Sequence, residues 1–245
     1  MPRLPSRIAI WVMVLLLQGC AVRSPYEEAS DPLEPVNRAV YTFNDTFDRY
    51  LLRPVAERYQ EYVPGVARTG VRNFYNNLQE PVTIVNQLLQ GKPGNAAGDT
   101  MRFGFNTIFG VLGLMDVATG WGLEKHNEDF GQTFGVWGFG EGWYLVLPLL
   151  GPSTVRDTAG LPLEFRMGVW QFASQRTNAW GRVGYYSLLF VSKRADLLSA
   201  SQVLDTGALD EYLQVRAAYR QRRWYEIHDG EPPEPDFFDD ELFND

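Results

Sequence analysis

Apolar residues recur at three- and four-residue spacing along most of the chain, and this spacing predicts helices. The first such stripe is Val36, Val40, Phe43, Phe47, Tyr50 and Leu51. Pro54 is expected to stop or kink this helix, because proline lacks a backbone N–H and clashes with the preceding turn. A break is also expected at Pro81, and Gly91 is placed to end a helix. Further helices are expected over 55–62, 65–78, 82–90, 95–109, 161–180, 184–200 and 208–228.

Residues 104–151 break this regularity. The segment holds eleven glycines, and between Phe130 and Pro152 the only charged residue is Glu141. A membrane-spanning helix is not predicted, because the segment has no run of about twenty apolar residues. Two interpretations stay open: a core of aromatic side chains with tight glycine turns, or a surface seated in lipid at headgroup depth. On the second interpretation the membrane-facing side chains are Phe134, Trp137, Phe139, Trp143 and Tyr144.

The first twenty residues have the pattern of a bacterial lipoprotein signal peptide. Arg3 and Arg7 precede ten consecutive apolar residues over 8–17, a length that suits a signal peptide and is too short to cross a bilayer. The tetrapeptide LQGC then resembles a lipobox, although glutamine is a less usual residue at its second position. It predicts cleavage between Gly19 and Cys20 and acylation of that cysteine. The alternative is an ordinary signal peptide followed by a chance cysteine.

Cys20 is the single cysteine of the chain, so neither an internal disulfide nor a cysteine-based metal site is expected. An acylated Cys20 would hold the protein on its membrane, since two or more acyl chains anchor stably. Ala21 favours the outer membrane, by resemblance to the sorting rule of bacterial lipoproteins. The expected organisation is a signal peptide over 1–19, a lipidated tether over 20–30, a helical domain over 31–228 and a disordered tail over 229–245.

The net charge of the chain adds little to the organisation predicted above. The formal net charge is −8, and eight acidic residues lie in the tail between Asp229 and Asp245, which contains no basic residue. An acidic chain is repelled by the phosphate backbone, so binding to nucleic acid is not expected. Without the tail the rest of the chain is close to neutral.

Residues suited to catalysis or metal binding are few. His126 and His228 are the two histidines, and the cluster Glu124, His126, Glu128 and Asp129 lacks the spacing of a zinc site. Ser153, Asp157 and His126 could be imagined as a triad, but no G-x-S-x-G motif surrounds the serine, which is better placed to cap a helix. The glycines over 138–142 lack the spacing of a nucleotide-binding loop. No catalytic residue, metal or cofactor is therefore predicted.

Further sequence blocks follow one another between about Asp31 and Trp224, at 31–38, 41–44, 55–64, 73–81, 85–91, 102–118, 128–135, 144–157, 194–195, 204 and 208–223. In content and order these blocks resemble the MlaA/VacJ family of outer-membrane lipoproteins. One departure is Trp143, where the family more often has proline beside the tyrosine.

The resemblance implies an all-α, flat, ring-like domain with a central amphipathic channel, lipid-anchored on the periplasmic side of the outer membrane. It implies that phospholipid misplaced in the outer leaflet passes through the channel to a periplasmic carrier of the Mla type, for return to the inner membrane. It also implies association with a trimeric outer-membrane porin. Polar side chains on apolar elements could line the channel or could simply bond to backbone groups at turns and caps. These candidates are Asn44, Asn86, Asn106 and Gln132.

Overall fold

The computed structural model describes residues 31–168, 171–172, 177–204 and 210–233. Helices dominate these residues, as the apolar spacing predicts. The elements in chain order are α1 (Glu34–Phe47), a π-helical turn (Asp48–Leu52), α2 (Arg53–Tyr62), α3 (Gly65–Leu89), α4 (Pro93–Ile108), α5 (Val117–Gly120), α6 (Phe130–Val136), β1 (Tyr144–Leu147), β2 (Gly151–Thr154), α7 (Val155–Glu164), α8 (Ala179–Leu204) and α9 (Glu211–Ile227).

A short hairpin is the main departure from an all-helical fold. β1 and β2 pair in antiparallel register from Tyr144 opposite Thr154 to Leu147 opposite Gly151. The connecting turn contains Leu149 at φ 63°, a left-handed backbone conformation that non-glycine residues rarely adopt. The hairpin begins in the glycine-rich segment, where the helical spacing of apolar residues is lost.

Two asparagines on α1 hold this hairpin in place. Asn37 donates a hydrogen bond to the carbonyl of Tyr144 (2.9 Å) and accepts one from the amide of Val146 (2.9 Å). Asn44 donates to the carbonyl of Leu147 (2.9 Å) and accepts from the amide of Leu149 (2.8 Å). Seven residues separate the two asparagines, about two helical turns, so one side of α1 contacts both the strand and its turn.

Much of the apolar stripe of α1 is exposed, although Val40 packs against Tyr144 and Val146 of the hairpin. Asn37 is 2% exposed, whereas Val36 is 60% and Tyr50 is 82% exposed. Phe43 and Leu51 are also more than half exposed. Helical periodicity correctly predicted the helix, but the side buried against protein is the side that carries asparagine.

Two predicted boundaries are wrong. The break expected at Pro81 is absent, because α3 runs unbroken from Gly65 to Leu89 with Pro81 inside it. Glu80 and Val82 on either side are buried, and this packing outweighs the local preference of proline. The single helix expected over 161–180 is interrupted: α7 ends at Glu164, a turn follows over 165–167, and residues 168 and 171–172 are helical again. Gly91 ends α3 as expected, with φ 77° and a bond from its amide to the carbonyl of Leu88.

Much of the described interior is polar. Arg102 of α4 is buried and donates two hydrogen bonds to the carboxylate of Asp116 (3.0 and 3.1 Å). Glu80 and Asp99 lie 3.9 and 4.0 Å from its Nε. Burial, followed by the charge of Asp99, raises the pKa of Glu80 to about 7. The apolar core, by contrast, is divided into small clusters, such as Ala56, Ala195 and Leu198 between α2 and α8.

In the ranges that the structure describes, no helix is both long enough and apolar enough to cross a bilayer.

Candidate functional site

An apolar cavity of about 1130 Å³ lies between α8 and the segment formed by α1, the π-helical turn and the start of α2. Phe47 and Leu51 contribute one wall, from α1 and the π-helical turn, and Val183 and Phe190 of α8 contribute another. The hairpin turn closes a third side with Leu150. A space of this size with mainly hydrocarbon walls suits apolar ligand groups.

A polar cavity of about 510 Å³ lies on the other side of the hairpin. Elements α6, α7, α8 and α9 contribute to its walls. Its ionisable lining comprises five carboxyl groups and three basic side chains, from Glu128, Asp129, Asp157, Glu164, Glu226, Lys193, Arg222 and Arg223.

The two cavities meet at the hairpin. Leu150 and Pro152 belong to the walls of both, so one apolar and one polar space share a boundary. Asn44, which bonds to the turn at Leu147 and Leu149, also lines the apolar cavity. The arrangement can receive a molecule that has long apolar groups at one end and a charged group at the other.

Arg223 of α9 is the centre of an ion-pair network in the polar cavity. Its guanidinium donates to both oxygens of Asp129 (2.6 and 2.9 Å) and to Asp157 (3.0 Å). Burial alone would raise the pKa of Asp157, but the charges of Arg223 and Arg156 outweigh it and lower that pKa to about 2. Asp129 also caps α6 by accepting from the amide of Gln132 (2.8 Å). The charge of Arg223 is therefore neutralised by its neighbours.

Glu164 and Lys193 differ from this network. Burial, followed by the charge of Asp129, raises the pKa of Glu164 to about 7, and its carboxylate accepts a backbone bond from Phe130. Burial lowers the pKa of Lys193, and Glu164 acts on it in the opposite direction. Lys193 is nonetheless reached by water, as expected of a side chain that lines a cavity.

The four polar candidates from the sequence lie in different surroundings. Asn44 lines the apolar cavity and Gln132 the polar one. Asn86 lines neither cavity: it is fully buried, bonded to the carbonyl of Val82 (2.9 Å) and to Thr133 (2.7 Å). Asn106 also lines neither, and it bonds to Asp116 (3.1 Å) and to the amide of Ala118 (3.0 Å). For these two the interpretation as local bonding partners fits the contacts.

The five aromatic residues expected to face the membrane differ in their exposure. Trp137, Phe139 and Trp143 are more than half exposed, and Phe134 is half-buried beside the rings of Trp137 and Phe139. Tyr144 requires a correction: it is 6% exposed and packs with Val146 and Tyr212. Alternate residues of β1 point inward, and Tyr144 has the inward register.

Further exposed apolar residues follow α4, within the glycine-rich segment but not among the five candidates. Val111 and Leu112 have φ 55° and 57° and are both more than half exposed, as is Trp121. Such backbone conformations cost energy in non-glycine residues and often occur at functional positions. Local sequence does not predict this left-handed backbone, because Val111 and Leu112 are not glycine.

The imagined catalytic triad does not assemble. Ser153 bonds to Thr158 (2.9 Å between hydroxyls), while the Nδ1 atom of His126 lies 3.0 Å from Asp99. The predicted helix cap is one residue away, since Thr154 accepts the amide of Asp157 (3.2 Å) and caps α7. Among the described residues no group of three or more His, Cys, Asp or Glu side chains is arranged to hold a metal ion. Gly19 and Cys20 lie outside the described residues.

The family model for the MlaA lipoprotein matches residues 29–226. The chain belongs to the MlaA lipoprotein family. It is 39% identical over 227 residues to the intermembrane phospholipid transport system lipoprotein MlaA of Escherichia coli, covering 88% of this chain and 86% of that protein. It is 34% identical to the protein of the same name from Haemophilus influenzae, covering 88% of each.

A solved structure from work on the maintenance of bacterial outer membrane lipid asymmetry is also similar. It superposes with a TM-score of 0.70 at 37% identity, covering 81% of this chain and all of the other.

Proposed function

We propose that this chain removes mislocalised phospholipid from the outer leaflet of the outer membrane and passes it on for return to the inner membrane. The observation that carries the proposal is an apolar cavity adjacent to a polar cavity, with Leu150 and Pro152 in the walls of both. A phospholipid has two acyl chains and a charged headgroup, and these two environments complement its two ends. Membership of the MlaA family supports the same conclusion.

Such transfer requires no chemical step from the chain. Phospholipid moves along the path without bond breaking, so neither a nucleophile nor a cofactor is needed. The proposal treats the chain as a transport component and not as an enzyme. The side chains proposed to contact the lipid are those that line the two cavities.

We also propose that the protein lies on the periplasmic side of the outer membrane, anchored by acyl groups on Cys20 after cleavage between Gly19 and Cys20. Its proposed protein partners are a trimeric outer-membrane porin and a periplasmic phospholipid carrier of the Mla type. The lipobox supports the anchor, and the family resemblance alone supports the partners. Exposed Trp137, Phe139 and Trp143 support contact with lipid at the headgroup boundary.

The test measures surface-exposed phospholipid in a strain that lacks the gene, by labelling headgroups accessible in the outer leaflet. Deletion is expected to raise the signal, wild type to lower it again, and Cys20→Ala to lower it poorly. Unchanged surface phospholipid on deletion would contradict the proposed function.

A plugged variant tests the path itself. Ser187 lines the apolar cavity, so Ser187→Trp should fill it and leave surface phospholipid high. Ser199 lies on the same helix, is exposed and does not line either cavity, so Ser199→Trp is the matched control and should complement fully. Full complementation by Ser187→Trp, at wild-type protein level, would exclude the apolar cavity from the path.

A further inference from the structure

The polar cavity holds two ionisable groups that its internal ion pairs leave available. Arg223 is neutralised by Asp129 and Asp157, and Arg222 lies 3.4 Å from Glu226. Within the described ranges Lys193 makes no hydrogen bond and no ion pair. This ammonium group lines the polar cavity, is reached by water and is free to bind an anion.

Glu164 is the second available group. Its carboxylate accepts a backbone hydrogen bond from Phe130, and in the described part of the chain it contacts no cationic side chain. Asp129 and Asp157 make its surroundings more negative. An ammonium group that entered the cavity would therefore be attracted to Glu164.

The two groups line the same cavity, and the charge of Glu164 acts on Lys193 although the two side chains form no ion pair. A ligand can therefore bind both at once. Its phosphate would accept hydrogen bonds from Lys193, and its own ammonium group would donate to Glu164. Carboxyl groups outnumber basic side chains five to three in the lining, which disfavours a ligand that brings only negative charge.

From this geometry we infer that Lys193 and Glu164 form a headgroup subsite for a zwitterionic aminophospholipid, with Lys193 on the phosphate and Glu164 on the ammonium. The inference rests on the proposed function and makes it more specific. A phosphatidylethanolamine-type headgroup satisfies both residues. A phosphatidylglycerol-type headgroup satisfies Lys193 and leaves Glu164 unpaired in a cavity that is already acidic.

The experiment measures phospholipid transfer by the purified full-length lipoprotein between vesicles that carry labelled phosphatidylethanolamine or labelled phosphatidylglycerol. Wild type is expected to move the ethanolamine lipid faster. Lys193→Gln should slow both lipids by about tenfold, since each loses a charge-assisted hydrogen bond to phosphate. Lys193→Arg, which keeps the charge, should restore most of the rate.

Glu164→Gln should slow the ethanolamine lipid alone and bring the two rates together. Glutamine resembles the protonated carboxyl, so the fold is expected to persist, and the unfolding temperature of each variant checks this. Arg58→Gln and Glu61→Gln make the same chemical changes on exposed side chains of α2 and should behave like wild type.

The outcomes separate the two claims. If wild type transfers neither lipid, the proposed function fails. If wild type transfers lipid but Lys193→Gln and Glu164→Gln keep its rates and its headgroup ratio, only the headgroup subsite is wrong. Competition by inorganic phosphate as strong as that by soluble glycerophosphoethanolamine would identify a free-phosphate site and would overturn the assignment to a lipid headgroup.

Discussion

Glu80 is a buried carboxyl group whose ionised form is disfavoured in the folded protein. Glu80 is almost completely buried, 3.9 Å from the Nε of Arg102, and its Oε2 atom has no hydrogen-bond partner. Its pKa is raised from 4.5 to about 7, chiefly by burial. The folded state therefore binds the proton of Glu80 more tightly than the unfolded state does.

The stabilising contribution of this proton is complete below about pH 4.5 and is lost as the pH rises through about 7. Glu80→Gln removes the ionisation, so the variant should match wild type at pH 4.5 and be more stable by up to about 3 kcal/mol at pH 8. Unfolding followed by circular dichroism across this range measures the difference.

Glu61→Gln is the control for that measurement, because Glu61 is exposed on α2 and pairs with Arg58 at the surface. Its stability should stay parallel to wild type at every pH. Parallel curves for Glu80→Gln as well would mean that Glu80 is ionised in the folded protein at neutral pH.

Helices α6 and α7 pack closely because glycine occupies the contact position on each, Gly131 on α6 and Gly160 on α7. A Cβ atom at Gly131 would lie 2.5 Å from Oδ1 of Asp157 and 2.7 Å from Nη2 of Arg223. A Cβ atom at Gly160 would lie 3.0 Å from the backbone nitrogen of Gly131. Close packing here keeps Asp157 and Arg223 in contact beside the polar cavity.

Gly131→Ala should therefore destabilise the protein by about 1–3 kcal/mol, because the added methyl group overlaps an ion pair that cannot move freely. Gly98→Ala is the matched control in α4, where a Cβ atom meets nothing within 4 Å, and it should be stabilised by up to about 1 kcal/mol. Chemical denaturation of both variants gives the comparison. Equal effects at the two positions would show that α6 and α7 are more loosely packed than the structure has them.

At the level of helices and strands, periodicity was a good guide to which residues are helical and a poor guide to which side faces protein. The stripe from Val36 to Leu51 predicted α1 correctly, yet the buried position is Asn37. The amides of Asn37 and Asn44 bond to a hairpin more than 100 residues later in the chain. Local spacing carries no information about such distant partners.

Pro81 and Ser153 are two further positions where local sequence did not predict the observed structure. Pro81 was expected to break α3, but the buried residues on either side keep the helix continuous. Ser153 was expected to cap α7, and the neighbouring Thr154 does so. The polar cavity escaped prediction for a related reason, since Lys193, Glu164 and Arg223 come from three helices far apart in sequence. The family resemblance implied a channel without giving these residues.

The whole molecule has an unusual distribution of apolar surface. Val36, Phe43, Val111, Leu112, Trp121 and Trp143 are all more than half exposed. Soluble monomers rarely leave so many large apolar side chains in water, and such surfaces commonly contact lipid or protein. A surface seated at headgroup depth, one of the two interpretations of the glycine-rich segment, accounts for Trp137, Phe139 and Trp143 as well.

This surface should bind vesicles even without acyl groups. Flotation of the unacylated Cys20→Ala protein with phospholipid vesicles measures its partition. Leu112→Asp and Trp143→Asp should each lower the partition at least about tenfold, because burying one large apolar side chain is worth about 1.5–3 kcal/mol. Neither change should reduce stability, since both side chains are exposed, and at φ 57° aspartate is tolerated better than leucine.

Asn95→Asp adds the same charge to an exposed polar position of α4 and should partition like the parent protein. Equal partition of all three variants would assign the exposed apolar residues to a protein contact and leave the acyl groups on Cys20 as the only membrane attachment.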